Sequence, residues 1–108
     1  MRRALLLLGL ALVLSGTAAA QFRTIPDSAQ RGVIQHLRGM VVSIDGKQMS
    51  LAPGATIRNE RNLIIVPVAL PRDGALAEFL LDAGGQISRV WLLTREEAER
   101  PKKQDGAR

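Results

Sequence analysis

Between Met40 and Leu51 the chain reads MVVSIDGKQMSL, and apolar and polar positions alternate on either side of Asp45-Gly46. Such a pair favours a type I′ turn, because both central positions need positive φ and these two residue types tolerate it. The turn fixes a register: Ile44 faces Lys47, Ser43 faces Gln48, Val42 faces Met49, Val41 faces Ser50 and Met40 faces Leu51. One face then carries Met40, Val42, Ile44, Met49 and Leu51, and the other carries Val41, Ser43, Gln48 and Ser50.

A second alternating stretch, ALAEFLLDAGGQISRVWLL, contains Asp82-Ala83-Gly84-Gly85. A type I turn with Gly85 in the left-handed position predicts a three-residue loop. That loop pairs Leu81 with Ile87, Phe79 with Arg89 and Ala77 with Trp91, and sets Phe79, Leu81, Ile87 and Trp91 on one face. A four-residue loop would instead oppose Glu78 and Arg89 as a cross-strand ion pair.

Between the hairpins, Pro53-Gly54 marks a turn, Thr56–Arg58 a short strand, Asn59–Asn62 another turn and Leu63–Val68 a β-branched run. Pro67 cannot donate to a ladder, which assigns this run to an edge or a bulge. GVIQHLR supplies a strand ahead of Gly39. Thr94-Arg95-Glu96-Glu97 is a capping box that opens a short helix, and Pro101 halts it. About six short strands, with turn signals at intervals of roughly 8–12 residues, predict a mainly β fold. The expected form is a small antiparallel barrel, OB-like or SH3-like, with a short C-terminal helix over residues 94–100.

The N-terminal pattern is of another kind. Arg2 and Arg3 precede an apolar run, Ala4–Leu14, and small residues follow, which is the layout of a secretory signal peptide. Ala18 and Ala20 occupy the cleavage positions, so Gln21 becomes the new N-terminus. The run of about 11 residues falls short of the roughly 20 that a membrane span needs, and no stable anchor remains after cleavage. The organisation expected is a signal peptide (1–20), a flexible segment (21–30), the barrel domain (31–100) and a basic, disordered tail (101–108). Residues 21–108 suffice for one small core.

The chain has no cysteine. Lipidation at the leader, disulfides and zinc-thiolate chemistry are therefore excluded, and the expected location is the periplasm, as a soluble protein. The formal charge of +5 includes Arg2 and Arg3, while Lys102, Lys103 and Arg108 against Asp105 lie in the tail. Residues 21–100 hold ten basic and nine acidic side chains. Only Phe22, Phe79 and Trp91 are aromatic, so the basic stripe with stacking platforms that nucleic acid requires is missing.

Catalytic chemistry has little material to work with. His36 is the only histidine, and the serines show no nucleophile-elbow context. Asp45, Asp73 and Asp82 sit in turns, where carboxylates serve backbone geometry. No phosphate-loop pattern occurs, no cofactor is implied and no enzymatic activity is expected. His36, Met40 and Met49 form a candidate copper set, since imidazole and thioether suit that metal, but the register puts both methionines on the apolar face.

RGVIQHLRGMVVSIDGKQMSLAPGATIRN and LLDAGGQISRVWLLTREE, behind a leader, resemble small uncharacterised exported β-barrel proteins of Gram-negative bacteria. More loosely, they resemble exported barrel modules in which a glycine-led strand precedes a short hairpin. The resemblance implies the compartment and the barrel, and it transfers no catalytic or binding residue. What remains is binding. An edge strand can be extended by a partner's strand, and the candidate is Leu63, Ile64, Ile65, Val66 and Val68, facing an envelope protein. The competing expectation is a carrier of a small ligand or of copper.

Overall fold

A computed structural model describes residues 23–102. The cleavage positions Ala18, Ala20 and Gln21 and the end of the basic tail lie outside the described residues. The chain is mainly β, with β1 (Gln30–Arg38), β2 (Val41–Ile44), β3 (Lys47–Arg58), β4 (Ile64–Ile65), β5 (Ala75–Leu81) and β6 (Ile87–Leu92). A 3-10 turn spans Pro67–Ala69, and the one described helix, α1, spans Arg95–Glu99. The strands form one sheet in the order β2-β1-β5-β6-β3-β4, and β2 also pairs with β3. Five of the pairings are antiparallel, but β3 and β6 run parallel. The sheet is therefore mixed, which corrects the all-antiparallel expectation.

The first hairpin takes the register its turn dictates. Val41 pairs with Ser50, Val42 with Met49, Ser43 with Gln48 and Ile44 with Lys47. Asp45 and Gly46 hold φ of 53° and 88°, as a type I′ turn requires. The Leu51 amide donates to the Met40 carbonyl over 2.8 Å, yet the Met40 side chain is exposed. Ser43, assigned to the wetter face, is buried instead.

Pro53-Gly54 does not end a strand. β3 runs through it, with Gly54 at φ 84° and a register shift between Leu51 and Thr56. Proline and glycine here produce a bulge that bends one long strand. The Leu63–Val68 run also departs from expectation. Only Ile64–Ile65 pair, and Pro67, with φ already suited to a helical turn, starts the 3-10 segment.

In the second hairpin Gly85 has φ 83°, and its amide donates to the Asp82 carbonyl at 3.0 Å, as in a type I turn. Asp82 Oδ1 accepts from the amides of Gly84 and Gln86. Leu81 pairs with Ile87 as expected, but a bulge follows, so Leu80 opposes Arg89, Phe79 opposes Val90 and Ala77 opposes Leu92. Ser88 is the inserted residue, and its hydroxyl donates to the Leu80 carbonyl. A one-residue slip moves every later side chain to the other face. Val90 and Leu92 therefore enter the central cluster, Trp91 moves to the opposite face, where it remains buried, and Leu81 at the hairpin tip is exposed.

The core gathers Ile34, Val42, Ile44, Leu51, Ile57, Phe79, Ile87 and Val90 from all five longer strands. Gly32 is buried where β1 meets the turn after β2. A Cβ there would lie 2.7 Å from Ile44 Cγ2, so only glycine lets the hairpin tip close on β1.

Candidate functional site

Two surfaces and one ionic clasp follow from this layout. β4 pairs only with β3 and ends the sheet. Ile65, opposite Ile57, turns inward and packs against the core, while Ile64, opposite Arg58, turns outward. Leu63, Ile64, Val66 and Val68 are 56%, 59%, 60% and 71% exposed, so four large apolar side chains meet water on one short segment. The segment is rigidly started: Asn59 Oδ1 accepts from the amides of Arg61 and Leu63, and the Asn59 amide donates to the Leu63 carbonyl.

The clasp is built by two arginines from the N-terminal part of the chain. Arg23 spends all five N–H groups. Nε and Nη2 grip the two Glu97 oxygens at 3.0 and 2.8 Å, Nη2 also donates to the Leu92 carbonyl at 2.6 Å, and Nη1 donates to the Asn59 carbonyl and Asn62 Oδ1. Arg31 binds Glu78 Oε2 through Nε and Nη2 at 3.0 and 2.8 Å. Its remaining N–H groups reach the carbonyls of Glu97, Ala98 and Arg100, which closes the end of α1 with a cation where the helix leaves its carbonyls open. Lys102 Nζ binds the other Glu78 oxygen at 2.9 Å. Segments 23–29 and 100–102 are thereby fastened to the sheet, which their polar composition does not announce.

The capping box forms as its sequence predicts: the Glu97 amide donates to Thr94 Oγ1 and the Thr94 amide donates to Glu97 Oε1. Burial alone pushes the Glu97 carboxyl upward. Hydrogen bonds from Arg23 and Thr94, with the Arg23 charge, outweigh burial and hold it below its ordinary 4.5. A lowered carboxylate pKa stabilises the fold above the unfolded value, and that contribution is lost as pH falls through the folded one. Glu97→Gln is accordingly expected to destabilise by about 2 kcal/mol at pH 7. In urea melts from pH 7 to 2.5 the gap to the native chain should narrow below about 4.5; a gap independent of pH would contradict the charged clasp.

A groove of about 540 Å³ lies on the outer face of the parallel β3–β6 seam. Thr56 stands beside Arg89 and Arg58 beside Trp91 there, with Ser88 and Arg23 at its margins. Arg58 Nη1 donates to the Asn62 carbonyl at 2.9 Å. Sequence inspection misses this groove because the Ser88 bulge creates it. The one available signal was the polar pair Ser88-Arg89 between Ile87 and Val90, which breaks strict alternation.

His36 and Met49, two of the candidate copper ligands, line different depressions among the described residues. His36 faces a depression with Leu37, Val68, Leu70 and Arg72, its Nε2 lying 3.1 Å from the Gly39 carbonyl, whereas Met49 lines another with Ile44 and Phe79. Met40 lines neither. Among the described residues no group of three or more histidine, aspartate or glutamate side chains is placed to hold a metal ion, and no helix is long and apolar enough to cross a membrane. The chain matches no family model, no curated protein and no solved structure.

Proposed function

We propose that the chain is a non-enzymatic, exported protein of the periplasm, an OB-like barrel that binds an envelope protein through residues 63–68. The leader-like N-terminus, with Arg2, Arg3 and the apolar run, supports export. The barrel is supported by the pairings, which return on themselves along β1-β2-β3-β6-β5-β1 with one parallel contact. A five-stranded, partly open Greek-key barrel has that economy of strands, and β4 stands outside the ring as an added edge.

One observation carries the binding role: Leu63, Ile64, Val66 and Val68 are each more than half exposed on the sheet's free end. Apolar side chains grouped on an open edge invite burial against a partner. The test is affinity capture from envelope extract with the native chain and with Ile64→Lys. Ile64 is the right position because it points outward, whereas a charge at Ile65 would enter the core. The variant is expected to keep its melting temperature within a few degrees and to lose the captured protein at least about tenfold. Equal capture by a folded variant would sink the proposal.

A further inference from the structure

We infer that the groove on the β3–β6 seam binds a small ligand bearing two anionic oxygen groups, phosphate or carboxylate, between Arg58 and Arg89. Charge is the first support. Arg23, Arg31 and Lys102 each have a carboxylate partner, but among the described residues neither Arg58 nor Arg89 forms an ion pair. No carboxylate lines the groove. In a folded part where acidic and basic side chains nearly balance, two unpaired guanidinium groups in one concavity are a local excess of positive charge.

Register is the second support. Arg58 lies opposite Trp91 and Arg89 opposite Thr56, so the arginines are diagonal neighbours across two paired strands. With strands about 4.8 Å apart and a rise of about 3.3 Å per residue, such positions stand roughly 8 Å apart, within reach of long side chains. Each guanidinium presents a planar fork that matches a phosphate or carboxylate. The bond from Arg58 to the Asn62 carbonyl uses one N–H and orients the group, leaving the others for a ligand. Thr56 adds a hydroxyl at the wall, and a volume of about 540 Å³ suits a small molecule. This site is separate from the apolar edge: Ile64 faces outward beside Arg58 but is absent from the groove lining.

Trp91 is the only tryptophan of the chain and lines the groove, so it reports on occupancy. The purified chain is titrated with inorganic pyrophosphate and, separately, with a short galacturonate oligomer, against sodium chloride at matched ionic strength. Saturable change in Trp91 fluorescence with either probe, absent with chloride, is expected, with the phosphate and carboxylate arms identifying the preferred group. Arg89→Gln should weaken that binding at least about tenfold, and Arg89→Lys should restore only part of it, since lysine keeps the charge and loses the fork. Calorimetry repeats each titration, so a silent fluorophore does not decide the result. Absence of saturable binding by both readouts, or equal affinity in a folded Arg89→Gln variant, would overturn the inference.

Discussion

Replacing Glu78 by alanine is expected to lower stability by about 3 kcal/mol. Glu78 lies on the outer side of β5 in a row that runs Arg31, Glu78, Trp91, Arg58 across four strands. Its side chain is 6% exposed and answers two cations, Arg31 at 17% and Lys102 at 10%. Removing the carboxylate leaves both charges partly buried without a counterion, and Arg31 also loses the anchor that aims it at the last carbonyls of α1. Urea unfolding followed through Trp91 measures the loss. Glu78→Gln should fall between the native chain and alanine, because an amide can still accept hydrogen bonds while carrying no charge. A loss below about 1 kcal/mol for alanine would mean that solvent already screens these groups, as it does for exposed pairs.

Ile34→Ala should be of similar or greater size, about 3–4 kcal/mol, for a different reason. Ile34 is 0% exposed and is the residue of β1 that pairs on both sides, with Ile44 of β2 and Ala75 of β5. Truncation removes buried methyl and methylene groups and leaves a cavity between two seams that the sheet cannot close without shifting both. The neighbouring outward residue is the control. Val33 is 39% exposed, and its truncation should change stability by well under 1 kcal/mol in the same urea series. Equal losses at the two positions would mean that β1 does not present one face to the core.

Local chemistry was legible in the sequence, and distant pairing was not. Asp45-Gly46 fixes its hairpin because both turn residues prefer the conformation it needs, and Gly85 and the Thr94–Glu97 box are equally self-contained. Those signals span four residues or fewer. The parallel meeting of β3 and β6 depends on nothing adjacent in sequence, and the bulges at Gly54 and Ser88 are settled by what each strand packs against. Treating Pro53-Gly54 as a strand end follows from reading a proline-glycine pair as a turn, and setting Trp91 on the face of Phe79 and Ile87 follows from assuming an unbroken period-two strand. The apolar edge was visible as an excess of aliphatic residues in LIIVPVAL, although Ile65 is used inward and Val66 and Val68 lie outside the paired strand. Arg23 and Arg31 gave no signal, since an arginine in a polar stretch looks the same whether it is solvated or fastened to a helix.

The insertion of the β5–β6 hairpin between β1 and β3 imposes an order on assembly. The β1–β2–β3 meander, the short β3–β4 pair and the β5–β6 hairpin can each form through contacts close in sequence, but the two seams that join the hairpin to β1 and β3 cannot. Ile34 must wait for Ala75, and Ile57 must wait for Val90. Loop-closure entropy is lost before those distant contacts return any stabilisation, so closure is the slow step and the early three-stranded meander has both outer seams bare. A chain that emerges from the ribosome N-terminus first therefore carries an uncovered Ile34 and Ile57 until its last strands are free. For this fold, the final quarter of the chain decides when the hydrophobic interior first becomes dry.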